Sequence, residues 1–148
     1  MLKTLQIKLL PDDNQKDILL GTFKKFNEAC NFVSKIAWDN KIYNKISLQK
    51  LVYYDIRNKF GLAAQLTIRV IAKVVDTYIT DRSVFHEFRE YGSIVYDQRV
   101  MSFKSMDEVS LNTIKGRIRI PITIGKYVEI PFDRMRGQCD LVRRHQLF

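Results

Sequence analysis

The chain has 148 residues, 46% of them hydrophobic and 11% aromatic. This is enough for one ordinary domain with a buried core and excludes a disordered chain. Its 25 lysines and arginines against 16 acidic residues give a net charge of +9, which favours a polyanionic partner at the folded surface. The sequence shows neither an apolar run of about 18 residues nor a signal peptide, so we expect no membrane contact. Two distant cysteines suit a reducing cytoplasm.

The chain begins with a predicted strand and a long predicted helix. Residues 4–9 alternate polar and apolar, which indicates a half-buried strand. Pro11-Asp12-Asp13-Asn14 ends that strand and supplies helix-capping side chains. Apolar residues spaced by three or four then predict an amphipathic helix over about 14–39. Lys24, Lys25 and Lys35 lie off its apolar stripe.

Two shorter helices are predicted next. Ser47 is the expected N-cap of a helix that ends at Gly61, and a third helix is expected over about 62–80. The apolar residues of the second helix are Leu48, Leu51, Val52 and Ile56, and those of the third are Leu62, Leu66, Val70, Val74 and Tyr78. On the other face of the third helix, Gln65, Arg69 and Lys73 recur every four residues. Such a row is an ordinary solvated face unless a ligand meets it.

Beyond residue 81 the pattern changes to short strands. They are expected at 93–96, 99–103, 108–111, 116–120 and 127–130, with turns between them about every ten residues, a rhythm typical of a small barrel or sandwich. The basic residues change as well: residues 1–80 carry 11 of the 14 lysines and residues 81–148 carry 9 of the 11 arginines. We therefore expect an α+β fold in which the first strand joins a small β-barrel and the helices are inserted after it.

The residues of a catalytic or metal site do not come together in the sequence. His86 and His145 have no neighbours at metal-ligand or nucleophile spacing, and Asp97, Asp133 and Asp140 resemble turn residues. Paired-cysteine zinc motifs and phosphate-binding glycine loops do not occur. We predict no catalytic residue, no metal and no cofactor.

A binding surface is better supported. Lys115, Arg117 and Arg119 alternate along one predicted strand, so their side chains point the same way and form a positive stripe suited to phosphates. Arg134, Arg136, Arg143 and Arg144 add positive charge. Tyr96 and Tyr127 either stack on bases or fill the core, and core filling is the commoner use.

Several segments resemble TnpB proteins, the RNA-guided nucleases of bacterial insertion sequences that are related to compact type V CRISPR effectors. The resemblance begins with Lys8-Leu9-Leu10-Pro11 through Leu19 and with the helix motif of residues 65–78. It continues in the same order through residues 92–99, 109–113, 116–118 and 137–142. The matching motifs extend over essentially the whole chain.

The resemblance implies an oligonucleotide-binding-like barrel, the wedge domain, interrupted by a helical recognition domain of about three helices. The corresponding ranges are 1–10 for the first barrel strand, 11–81 for the recognition domain and 82–148 for the rest of the barrel. It also implies a bacterial cytoplasmic protein whose partners are a guide RNA and double-stranded target DNA. By motif position, the resemblance implies that Gln65 faces a short DNA motif and that Arg69 and Lys73 lie near the backbone of the DNA or of the RNA–DNA heteroduplex. The expected guide-RNA contacts are Lys115, Arg117 and Arg119, together with Lys24 and Lys25.

The chain departs from the family after Asp140-Leu141-Val142, where the nuclease domain with its three acids and zinc ribbon would follow. Here the sequence ends at Phe148. The chain is then either a shortened gene product or one half of a split effector. We expect a module that binds without cleaving, with a separate nuclease polypeptide as an additional partner in the second case.

Two other functions fit the sequence. The chain is alternatively an interaction subunit or repressor that docks a separate nuclease half or a polymerase through apolar residues. The candidates for this role are Met101, Phe103, Leu147 and Phe148. It is also compatible with a DNA-binding regulator that uses helices 47–60 and 62–80 as a helix-turn-helix. The Gly61 turn is short for that geometry.

Overall fold

The computed structural model describes residues 7–96, 101–105, 108–124 and 139–143, without the side chains of 101–105, 124 and 139. The described elements follow one another along the chain as one strand, three helices and five strands. They are β1 (Ile7–Leu9), α1 (Asp13–Asn40), α2 (Lys45–Phe60), α3 (Ala64–Thr80), β2 (Ile94–Tyr96), β3 (Met101–Ser105), β4 (Glu108–Thr113), β5 (Gly116–Ile124) and β6 (Cys139–Leu141). The α+β class is confirmed.

The strands form two antiparallel sheets. The larger has the order β1-β5-β4-β3 and the smaller pairs β2 with β6; within the described ranges these sheets do not close into a barrel. Ile7 lies opposite Ile124 and Leu9 opposite Ile122. The first strand thus joins strands from the second half of the chain across three intervening helices, as expected. The strand predicted at 127–130 lies outside the described residues.

Polar side chains fix the helix ends. Asp12 accepts from the Gln15 amide while the Gln15 side chain accepts from the Asp12 amide, a capping box that confirms the predicted start of α1. The predicted N-cap of α2, Ser47, was wrong by three residues. Asn44 is the N-cap, and its side chain accepts from the backbone amide of Ser47, so Ser47 lies inside the first turn. Gly61 ends α2 with a φ of 66°, as predicted for a C-terminal glycine.

The helices and the large sheet share one hydrophobic core. Its helical part includes the predicted apolar face of α3, which is fully or almost fully buried. Val109, Leu111, Ile120 and Ile122 add the inner face of the sheet. Leu51 does not belong to the core. Its side chain is 48% exposed, because the buried line of α2 runs through Leu48, Val52 and Ile56 at four-residue steps and Leu51 lies on its flank.

The three helices of the described residues were compared with the length and hydropathy of membrane-spanning helices. None of those described combines the length and the apolar character that a membrane-spanning helix requires.

Candidate nucleic-acid interface

The predicted basic strand forms the second arm of a tight hairpin, which we call the basic hairpin (residues 108–119). Gly116 follows the Ile114-Lys115 turn with a φ of 84°, a conformation that favours glycine. The Thr113 hydroxyl donates to the carbonyl oxygen of Gly116 at 2.7 Å and accepts from the Lys115 amide at 3.1 Å. Lys115 therefore lies in a closed turn rather than in the strand, and its side chain is exposed at the tip.

Arg117 and Arg119 share the outer face of the large sheet, as the alternation predicted. Both are exposed, whereas Ile120 on the inner face is buried. The pairing of β1 with β5 adds Lys8, which lies opposite Thr123 and is also exposed. We call Lys8, Lys115, Arg117 and Arg119 the basic stripe. Lys8 was not among the predicted site residues, because the sequence does not show which strand pairs with β5.

Polar neighbours hold the two arginines without covering them. Arg117 donates from Nη1 to the Ser110 hydroxyl at 3.1 Å, on the adjacent strand. Arg119 Nη1 lies 3.7 Å from Oε1 of Glu108, and their side chains are 66% and 36% exposed. Ion pairs this exposed contribute at most about 1 kcal/mol. A phosphate can therefore replace Glu108 as the partner of Arg119 at little cost.

Three contacts dock the basic hairpin on α1. Gln15 donates to the carbonyl oxygen of Arg119 at 2.9 Å, and the Ile114 amide donates to the Thr22 hydroxyl at 3.2 Å. At Gly21, an added Cβ would meet Ile114 Cδ1 at 2.8 Å, so the absence of a side chain permits this close approach. The hairpin is thereby fixed relative to the helices before any ligand binds.

The predicted lysines of α1 lie one turn beyond this contact. Lys25 is exposed four residues after Gly21, on the side of α1 where the hairpin docks. Lys24 is also exposed, and its Nζ lies 3.8 Å from Glu90 Oε1. Both lysines can extend a positive path from the tip of the hairpin onto α1.

A groove of about 530 Å³ separates the end of α2 from the tip of the basic hairpin. On the α2 side, Tyr54 is 73% exposed and is followed by Arg57. The other lining residues are Asn58, Gly61, Leu62, Ala63, Asn112, Thr113, Ile114 and Gly116. Gln65 follows Ala63 by two residues and is partly exposed. Sequence reasoning missed Tyr54, Arg57 and Asn112, because the groove brings together segments about fifty residues apart.

The other two members of the predicted polar row do not form an open face. Arg69 is only 7% exposed and donates from Nε to the carbonyl oxygen of Val95 at 3.3 Å. Lys73 donates to the side chain of Asn27 and to the carbonyl oxygen of Ser93. Burial lowers the pKa of Lys73. The row differs from the expected solvated face because α3 is buried on several sides.

The remaining candidate groups have structural surroundings. His86 Nε2 lies 2.6 Å from the Asp81 carbonyl oxygen, and its ring packs edge-on against Tyr78. Tyr96 is fully buried, as core filling predicts. Among the described residues, histidine, cysteine and acidic side chains form no group of three suited to a metal ion. His145, Tyr127, Asp97 and Asp133, and Arg134, Arg136 and Arg144, lie outside the described residues.

Comparison with the models of known protein families finds no match for this chain. Comparison with the sequences of curated proteins finds none either.

Proposed function

We propose that this chain is a nucleic-acid-binding module that holds RNA on the outer face of its large sheet. The observation that carries the proposal is the basic stripe. Its arginines, Arg117 and Arg119, are exposed on one face of a hairpin that is already fixed against α1.

The geometry of the stripe suits a phosphate backbone. Arg117 and Arg119 are two residues apart on one strand, which places their Cα atoms about 7 Å apart on the same face. A guanidinium group offers a planar fork of donors that matches phosphate oxygens. The net charge of the stripe also favours a phosphate backbone. The stripe has four cations, and Glu108 is the acidic neighbour that approaches Arg119.

In its finer form, the proposal is that the chain is the wedge and recognition part of a TnpB-like protein, with guide RNA on the basic stripe and Lys24 and Lys25. The pairing of β1 with β5 across the helices supports an oligonucleotide-binding-like barrel with a helical insertion. A short motif of double-stranded DNA would occupy the groove beside Gln65, where Tyr54 and Arg57 offer an aromatic ring and a cation. The proposed module binds both nucleic acids without cleaving them, and a separate nuclease polypeptide would supply the chemistry.

Salt-dependent RNA binding tests the proposal. The double variant Arg117→Ala/Arg119→Ala should bind a structured RNA about tenfold more weakly at moderate salt. The slope of log K against log salt should also fall by between about 1.4 and 1.8, since two phosphate contacts are lost. Fluorescence anisotropy over a series of salt concentrations measures both quantities.

The matched control is Lys35→Ala/Lys45→Ala, which removes the same charge at two exposed ion pairs away from the sheet. Lys35 lies 13 residues beyond Thr22, about 20 Å along the helix. The control should keep the parent affinity. Equal losses in both double variants would show that net charge, rather than the stripe, binds the RNA.

A second candidate function is protein interaction, and a specific surface favours it. On the outward side of α2, Ile46 is 69% exposed and Leu51 is also exposed. A hollow of about 370 Å³ is lined by Ile46, Gln49, Lys50, Tyr53 and Tyr54. The side chains of Met101 and Phe103, and residues Leu147 and Phe148, which the sequence suggested for this role, lie outside the described part.

Analytical ultracentrifugation without nucleic acid tests this alternative. If α2 is an interface between copies of the chain, the sedimentation coefficient should rise with concentration, and Ile46→Ser/Leu51→Ser should abolish the rise. A monomer over the whole concentration range would contradict self-association through α2.

The helix-turn-helix alternative is less well supported. Its second helix would be α3, whose residues from Leu66 to Tyr78 are largely buried. This leaves little of α3 to enter a major groove, so we do not propose that function.

A further inference from the structure

The segment that leads from α3 to β2 is held by side chains, whereas β2 itself pairs with β6. We call residues 86–96 the strap; it contains β2 at its end and is otherwise neither helix nor strand. On the α1 side, Ser34 donates to the carbonyl oxygen of His86 at 2.6 Å. The Asn31 side chain donates to the Phe88 carbonyl oxygen at 3.0 Å and accepts from the Phe88 amide at 2.7 Å. Asn27 donates to the carbonyl oxygen of Gly92 at 2.9 Å.

The α3 side repeats this arrangement. The Tyr78 hydroxyl accepts from the His86 amide at 3.2 Å. Lys73 donates to the carbonyl oxygen of Ser93, and Arg69 donates to that of Val95. Later residues of the strap bond to earlier residues of each helix. The strap therefore runs antiparallel to α1 and to α3 and is hydrogen-bonded to both.

The surroundings of Lys73 hold its ammonium group at the strap. Its Nζ lies over the rings of Phe26 and Phe88, at 5.6 and 5.3 Å from their centroids. Two oxygen acceptors and two aromatic faces thus surround a cation that has lost much of its water. A phosphate on the surface would have to replace these partners before it could bind Lys73.

The end of the strap contacts the basic hairpin. Tyr96 is fully buried, and its hydroxyl donates to the carbonyl oxygen of Asn112 at 2.9 Å. Asn112 lies opposite Arg117 in the β4–β5 register and lines the groove. A continuous set of contacts therefore runs from α3 through the strap to the wall of the groove.

We infer that Arg69, Lys73 and Tyr96 are positioning residues that fix the basic hairpin against the helices and so set the width of the groove. They act through the strap and touch no ligand. The inference rests on the proposed function only for the identity of what the groove binds. The contacts from α3 through the strap to Asn112 are present in the chain without a ligand.

Hydrogen–deuterium exchange of the chain without nucleic acid tests the link. In Lys73→Met, we expect exchange to accelerate about fivefold or more over residues 86–96 and 108–113, because one strap contact is lost. Exchange over α2 should be unchanged. Lys35→Met is the matched control, since Lys35 is an exposed lysine of α1 paired with Asp39, and it should match the parent. Uniform acceleration over all helices, or none over the hairpin, would overturn the inference.

Tyr96→Phe is the gentler variant if Lys73→Met does not fold, because it keeps the buried ring and removes only the hydroxyl. We expect faster exchange over 108–113, and about fivefold weaker binding of a short DNA duplex of mixed sequence. RNA binding should stay within twofold, since the β4–β5 ladder and the stripe are intact. Equal losses for RNA and DNA, or unchanged exchange over 108–113, would overturn the positioning role.

The exchange measurement and the binding measurement together distinguish a failure of the inference from a failure of the proposed function. If the parent chain binds neither nucleic acid but exchange responds as expected, the positioning role stands and the proposed function fails. If the parent binds both nucleic acids and exchange over the strap and hairpin does not respond, the proposed function stands and the positioning role fails.

Discussion

At the scale of single residues, burial decides which side chains serve the surface and which serve the fold. Arg69 and Arg117 are both arginines in regularly spaced rows, yet Arg69 is buried against β2 whereas Arg117 lies exposed on the sheet. Spacing along the sequence identified both rows and could not separate them. The difference arises from tertiary packing, because the strap covers one row and leaves the other open.

Cys30 illustrates how burial changes the chemistry of a residue. It is a free, fully buried thiol, and desolvation raises its pKa to about 12 while the charge of Lys73 opposes the shift. The folded state therefore keeps a proton that the unfolded chain loses above about pH 9. Such a group contributes stability that is complete below the unfolded pKa and is lost as the pH rises toward the folded one.

We predict that the chain loses about 1 kcal/mol of unfolding free energy per pH unit above pH 9 relative to Cys30→Ala. The Cys30→Ala variant should be less stable at pH 7, because a buried side chain is shortened. The difference in unfolding free energy between the parent chain and the variant should narrow as the pH rises. Urea unfolding at pH 7, 9 and 10 measures it. A gap that is constant with pH would show that Cys30 does not titrate as burial requires.

At the scale of elements, the sequence predicted the three helices and several strands well because their periodicities are local. It placed the starts of α1 and α3 within two residues, and it missed the α2 cap because Asn44 and Ser47 are both good capping residues. The buried face of α2 was harder to predict. Both Leu51 and Val52 fit an amphipathic stripe, and only the packing against α1 and α3 shows which one faces the core.

Matched alanine variants of α2 test that assignment. Ile56→Ala should destabilise the fold by about 3 kcal/mol, because it opens a cavity at a fully buried position. Leu51→Ala should change stability by less than about 0.5 kcal/mol, as surface substitutions do. Chemical unfolding compares the two. Similar losses for both variants would contradict the orientation of α2.

At the scale of the whole molecule, the candidate site depends on contacts between distant segments. The stripe needs β1 beside β5, and the groove needs the end of α2 beside the β4–β5 turn. The strand pattern predicted that β1 joins the later strands but not that it pairs with β5, and no local pattern brings the end of α2 beside the β4–β5 turn. This explains why Arg117 and Arg119 were predicted from alternation whereas Lys8, Tyr54 and Asn112 were not. The helices and the large sheet share one core and are linked by the strap, so the position of each depends on the other.

The most direct test of RNA binding on the sheet face is to identify the RNA that the chain carries. The parent chain and Arg117→Ala/Arg119→Ala would be purified in parallel from the native host at moderate salt, and the bound RNA sequenced. We predict one discrete RNA with the parent chain and its loss from the double variant. No RNA with the parent, or the same bulk RNA with both proteins, would contradict the proposed function.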